Sequence, residues 1–131
     1  MGLKYLLDSN VIIGFLANKL PAAGMKFVSD IVDDAPYASV ISKIEVLRFR
    51  DTPENEAVLA DFVRRFVICP LNNVAVEYTI ELCRQSRIKL PDAIIAATAL
   101  TENCALVTRN TADFKHIAKL EVINPWEIQA T

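Results

Sequence analysis

Short apolar runs alternate with longer helix-periodic stretches along the whole chain, and this alternation narrows the available folds more than any other feature. KYLLD, APYASV, VICPL, ALVTRN and EVINP each have the length and content of a buried strand. Between them lie stretches with helical spacing and start signals. NVIIGFLANK follows Asp8 and Ser9, either of which can cap a helix. PAAGMKFVSDIVDD opens on Pro21 and repeats Met25, Val28 and Ile31, while TPENEAVLADFVRRF carries Thr52 as a cap and Pro53 at the first helical position. ISKIEVLRFR places Ile41, Ile44, Leu47 and Arg48 on one stripe. NNVAVEYTIELCRQSR, PDAIIAATALTENC and TADFKHI complete the set. Strand following helix following strand implies an α/β fold with a mainly parallel sheet covered on both faces.

With 131 residues and no linker, repeat or low-complexity segment, residues 1–131 are expected to form one domain. A hydrophobic fraction of 53% against 23% charged residues excludes a disordered chain. No apolar run approaches the roughly 18 residues needed to span a bilayer, so no membrane partner and a cytoplasmic location are expected. Cys69, Cys83 and Cys104 are widely spaced in apolar surroundings and read as reduced core residues rather than a zinc site. The net charge of −2 excludes binding to nucleic acid through overall positive potential. Bases nevertheless gather locally, at Lys43, Arg48 and Arg50, at Arg64 and Arg65, and at Arg84, Arg87 and Lys89.

In parallel sheets, ligands bind beyond the carboxyl ends of the strands, which draws attention to polar residues just after each run. Four acids stand out, each with an ordinary explanation. Asp8 can be a helix cap. Glu45 can pair with Arg48 three residues on. Asp92, after Pro91, sits in a first helical turn where the macrodipole favours negative charge. Asp113 can complete a modified capping box with Asn110.

Together they point to more than caps. DAIIAATAL is apolar on nearly every side, so its helix belongs at the centre of the packing and its acidic start faces a partly enclosed space. A carboxylate there is costly without a cation, and several converging carboxylates repel one another. Oxygen-only donors suit Mg²⁺ or Mn²⁺, and no Cys/His set for zinc is present. Such an ion activates water and neutralises phosphodiester charge without a histidine or serine nucleophile. The single histidine, His116, reads as a surface or satisfied residue rather than a base.

LLDSNVII, SKIEVLRF, PDAIIAATAL and LVTRNTADF occur in the order and approximate spacing of the PIN-domain family, and the chain resembles its VapC-type toxins over nearly its whole length. The resemblance implies a three-layer α/β/α sandwich with a central, mainly parallel sheet of about five strands and an acidic pocket at its carboxyl edge. It implies an Mg²⁺- or Mn²⁺-dependent endoribonuclease acting on RNA, usually a homodimer, restrained by a small antitoxin. Position by position, Asp8, Glu45, Asp92 and Asp113 match the acidic quartet that binds metal and performs catalysis, with Glu45 also a candidate base. Ser9, Asn10, Thr108 and Asn110 match residues that orient those carboxylates. Ser9 departs from the commoner threonine but keeps the hydroxyl. Lys43, Arg48, Arg50 and Arg109 are candidates for RNA phosphate contacts, or for solvated salt bridges.

Two other classes remain. A HAD-like, Mg²⁺-dependent phosphatase or phosphotransferase also begins with an aspartate after its first strand, but it commonly requires a second acid two residues later, where this chain has Asn10. A catalytically silent PIN-fold binding or regulatory protein would keep the architecture without the chemistry. Phe15 and Phe27 are open to two readings, as core residues or as part of a dimer surface.

Overall fold

The computed structural model describes residues 3–129. Its centre is a five-stranded, all-parallel sheet in the order β3-β2-β1-β4-β5. The strands are β1 (Lys4–Leu7), β2 (Pro36–Ser39), β3 (Val67–Cys69), β4 (Cys104–Val107) and β5 (Val122–Ile123). Helices α1 (Ser9–Leu16), α2 (Ala22–Asp34), α3 (Val40–Leu47), α4 (Pro53–Val63), α5 (Asn73–Gln85) and α6 (Leu90–Glu102) lie between them. The sandwich expected from the alternation is the one formed.

Helix starts follow the cap chemistry in the sequence. The Thr52 hydroxyl accepts from Asn55 N, with Pro53 at the first position and Glu54 and Glu56 in the first turn of α4. Asn72 and Ser39 cap α5 and α3 in the same way. Asn103 ends α6 in the left-handed region, at φ 59° and ψ 41°, which asparagine tolerates better than most residues.

Strand alternation sends Leu7 to one face of β1 and Leu6 to the other, seeding two cores. Leu7 joins Val11, Val28, Ile31, Leu59 and Phe62 beneath α1, α2 and α4. Leu6 joins Cys69, Ile95, Ala99, Leu106 and Phe114 beneath α6. Phe15 stacks on Phe62 and Phe27 meets Tyr5 edge-on, so both are packed within the first core rather than presented as a surface. Residues Ala93 to Ala99 of α6 are all buried, as its composition demanded. The one hydroxyl in that run, on Thr98, donates to Ile94 O and so leaves no polar group unpaired.

Three local expectations are corrected. Most of the stripe on α3 faces outward: Ile44 and Leu47 are exposed and only Ile41 packs against the second core, whereas Ser42 and Val46 are buried. Burial of Ser42 carries little penalty because its hydroxyl bonds that of Ser39. TADFKHI forms only a single 3-10 turn over Thr111–Asp113, and Asn110 makes no side-chain cap there, so the modified capping box is absent. Cys83 is exposed on α5, while Cys69 and Cys104 are core residues whose thiols burial pushes up to about 11. No helix among the described residues is long and apolar enough to cross a membrane.

Candidate active site

The strand order runs outward from β1 on one side and from β4 on the other, so the topological switch point lies between these two strands. A crevice forms there because the chain leaves neighbouring strands in opposite directions. Asp8 follows β1 and Thr108 follows β4, each directly at the carboxyl end, and the strands beneath them are held in register from Lys4 opposite Cys104 to Leu7 opposite Val107. The sheet therefore delivers both side chains to one place.

Asp8 is only 5% exposed. It does cap α1, because Oδ1 accepts from Ser9 N at 2.8 Å. Its other oxygen, Oδ2, accepts from Thr108 Oγ1 at 2.8 Å and from Asn10 Nδ2 at 3.4 Å. The Thr108 hydroxyl also accepts from Asn10 Nδ2 and from Asn110 N. With both lone pairs used, its one proton points at Asp8. Asn10 is consumed on both sides of its amide, since Oδ1 accepts from Arg109 N at 3.1 Å. It is a structural clamp between the two loops and has no proton to exchange, unlike the acid a HAD-like mechanism requires at this position.

Glu45 projects from α3 toward the same crevice. Ser9 Oγ donates to Glu45 Oε1 at 3.1 Å, linking the start of α1 to the middle of α3 across 36 residues. The hydroxyl kept at position 9 thus has a partner, and the expected ion pair of Glu45 with Arg48 is not formed. The ion pairs among the described residues are Lys26 with Asp30, Arg50 with Glu56 and Arg64 with Asp61, and they include none of the four acids. Asp92 occupies the first turn of α6, half-buried, and Asp113 stands exposed in the 3-10 turn on the far side.

These positions leave negative charge without compensation. Burial pushes the Asp8 carboxyl up to about 6, with repulsion from Glu45 and Asp92 adding to it and the bonds from Thr108 and Ser9 opposing it. Asp92 is also raised, first by burial and then by Asp113 and Glu45, against a smaller opposing effect of Lys89. The four acids thus share one electrostatic neighbourhood. Even so, among the described residues no group of three or more His, Cys, Asp or Glu side chains is arranged to hold a metal ion directly. An oxygen-only set around a buried, unpaired carboxylate still fits a hard ion that keeps several of its waters and takes one or two carboxylates directly.

The orienting residues named from sequence separate into two groups. Ser9, Asn10 and Thr108 contact the quartet through their side chains, whereas Asn110 contributes only backbone groups, its N–H to Thr108 Oγ1 and its carbonyl to Asp113 N. Lys43, Arg48 and Arg50 are exposed on and after α3, and Arg50 pairs with Glu56 at 3.8 Å. Arg109 lies with its guanidinium 4.7 Å from the centre of the Trp126 ring. Trp126 and Asn124 were not legible as site residues. Asn124 Nδ2 donates to Arg109 O and its Oδ1 accepts from Trp126 N, so the segment after β5 braces the Arg109 loop. Only the tertiary fold brings that segment there.

A cleft of about 370 Å³ adjoins the acids, lined by Ser86, Arg87, Lys89, Asp92, Asp113 and His116 among others.

The sequence profile of the PIN domain matches residues 5–120. The fold is similar to that of a chain in a toxin–antitoxin complex from Klebsiella pneumoniae, with a TM-score of 0.78, 29% identity, and 95% of this chain and 100% of that one covered. It is also similar to a chain of DNA-bound VapBC from Salmonella typhimurium, with a TM-score of 0.76, 25% identity and coverage of 92% and 97%. For FitAcB from Neisseria gonorrhoeae the TM-score is 0.73, with 25% identity and coverage of 95% and 99%. A comparison with curated proteins finds no match. A profile spanning nearly the whole chain, on a parallel sheet with its acids gathered at the switch point, places this protein in the PIN domain family.

Proposed function

We propose that this PIN domain is a metal-dependent endoribonuclease that hydrolyses RNA phosphodiester bonds and is the toxin of a toxin–antitoxin pair. The observation that carries the reading is Asp8: a carboxylate 5% exposed, repelled by Glu45 and Asp92, with no cation beside it. A bound Mg²⁺ or Mn²⁺ would relieve that repulsion, lower the pKa of a bound water and neutralise phosphate charge. Asp8, Asp92 and Asp113, with Glu45 completing the set, would hold it, one or two of them directly and the others through its waters. Thr108, Ser9 and Asn10 keep Asp8 and Glu45 in fixed rotamers by the bonds described above. Glu45, held by a single hydroxyl, is the candidate to take a proton from the attacking water. Arg109, stacked on Trp126, is the best placed of the expected phosphate contacts.

Toxin–antitoxin complexes among the structural neighbours support a small protein antitoxin as partner. Apolar Ile44 and Leu47, exposed on α3, support a homodimer in place of the packed Phe15 and Phe27.

The test is cleavage of a single-stranded RNA by the purified protein with Mg²⁺ or Mn²⁺ and with a chelator. Cleavage is expected only with the metal, and is expected to disappear in Asp8→Asn and Asp92→Asn while circular dichroism is unchanged. Equal cleavage by those variants, or by the chelated protein, would sink the assignment.

A further inference from the structure

The cleft beside the quartet has two chemically different sides. Asp92 and Asp113 form the side shared with the active site, and Arg87 and Lys89 form the other, on the loop that joins α5 to α6. Both cations are exposed, and neither belongs to an ion pair among the described residues. An acidic floor with an unpaired basic wall suits a ligand that carries negative charge past a metal site.

The cleft is also preformed. Ser86 N and Ser86 Oγ both bond to Leu82 O, which fixes the loop to the end of α5. Ser86 Oγ then lies 3.3 Å from His116 Nε2, tying this loop to the segment that carries Asp113. The two walls are thus joined at one end by a contact that needs no ligand.

From this geometry we infer that Arg87 and Lys89 form a phosphate subsite for the RNA strand, next to the phosphate that is cut. The inference rests on the ribonuclease reading above. The volume of about 370 Å³ lies at the small end of ligand pockets, room for one nucleotide and not for a folded RNA element. No Phe, Tyr or Trp lines it, the one ring is the His116 imidazole tied to Ser86 Oγ, and the only large apolar contributor is Ile88, so bases have little stacking platform there. Contacts are to the phosphodiester and the sugar, and this subsite is blind to base identity. Sequence preference must arise elsewhere along the groove.

The test is binding of a fluorescein-labelled single-stranded RNA decamer, followed by anisotropy in EDTA over a series of salt concentrations, alongside Mg²⁺-dependent cleavage of the same RNA. Arg87→Ala/Lys89→Ala is expected to weaken binding roughly tenfold and to flatten the dependence of log K on log salt by about 1.4, the release from two single-strand phosphate contacts. The loss should be the same for decamers of different base composition. Arg87→Lys/Lys89→Arg should restore most of the affinity, which separates charge from folding. Arg64→Ala/Arg65→Ala, at the opposite edge of the sheet before β3, should bind as wild type. If wild type cleaves RNA and the double alanine variant keeps its affinity and salt slope, the subsite is overturned while the nuclease stands. If wild type neither binds nor cleaves RNA, the ribonuclease reading itself fails. An unchanged RNA affinity with lost binding to a polyglutamate peptide would assign the cleft to an acidic protein partner and overturn the inference.

Discussion

The Thr108 hydroxyl donates to Asp8 Oδ2 at 2.8 Å, joining residues 100 positions apart across the crevice between β1 and β4. Thr108 Oγ1 also accepts from Asn10 and from the backbone of Asn110, so removing it strands the Asn110 N–H and leaves buried Asp8 Oδ2 with only the 3.4 Å bond from Asn10. Thr108→Val, which keeps the shape and deletes the hydroxyl, is expected to lose about 2 kcal/mol of stability. It should also lower RNA cleavage by about 10- to 100-fold, the usual cost of releasing a metal-binding carboxylate from its support. Thr108→Ser should recover most of both. Urea titration and cleavage rates for the pair check this. A valine variant as active as wild type would show that Asp8 needs no support from β4.

Asp8 gives the metal-free protein a pH dependence of definite sign. Its carboxyl titrates near 6 in the fold against 3.8 in the unfolded chain. Such a group favours the folded state while it is protonated, and that advantage is lost as pH rises from about 4 through 6. The shift corresponds to about 3 kcal/mol. Asparagine does not titrate, but neither orientation of its amide satisfies both Ser9 N and the Thr108 hydroxyl, so Asp8→Asn should be the less stable protein at pH 4. Relative to wild type it should gain about 2.4 kcal/mol between pH 4 and pH 7.5 in EDTA, most of the full shift. Denaturation curves for both proteins at the two pH values measure that difference of differences. A value near zero would mean that Asp8 is not buried as charge.

Metal addition should reverse the same penalty. At pH 7.5, Mg²⁺ or Mn²⁺ at about 100 times its dissociation constant should stabilise wild type by about 2.7 kcal/mol, raising the melting temperature by several degrees. The response should be lost in Asp8→Asn/Asp92→Asn. It should also fade below about pH 6 in wild type, because the ion must displace a proton from Asp8. Thermal melts with and without the ion decide this, and an equal rise in the double variant would place the ion elsewhere.

How far the site was legible differs from residue to residue. Asp8 and Asp92 stood out because each follows or starts an element too apolar to tolerate a charge without reason, and the fold buries Asp8 and half-buries Asp92, with desolvation raising both carboxyls. Glu45 was named among the four acids, but with Arg48 as its expected partner, and the fold gives it Ser9 instead. The error over the α3 stripe has a physical source: Ile41, Ile44 and Leu47 carry the right spacing, but Ser42 is neutralised by Ser39 and can be buried, leaving the helix free to turn Val46 inward. Periodicity records hydrophobicity, not which polar groups find partners. Trp126 was invisible for a different reason, because its role depends on a segment after β5 returning to the opposite end of the chain.

That return passes over two glycines. A Cβ on Gly24 would lie 2.0 Å from the carbonyl oxygen of Pro125 and 3.0 Å from its carbon, both backbone atoms that cannot rotate aside. A Cβ on Gly14 would meet only side chains, two ring carbons of Trp126 at 3.0 Å and Leu20 at 3.2 Å. Gly24→Ala should therefore destabilise by about 3 kcal/mol despite alanine's better helix propensity, and Gly14→Ala by about 1 kcal/mol or less. Displacing Pro125 also moves Trp126, the single tryptophan of the chain, away from the Arg109 guanidinium. The emission of Gly24→Ala should accordingly shift to the red in the native state, and its affinity for RNA should fall as Arg109 loses the ring that holds it. An alanine variant with wild-type stability and emission would mean that the segment after β5 does not rest on α2, and that Arg109 is held by Asn10 and Asn124 alone.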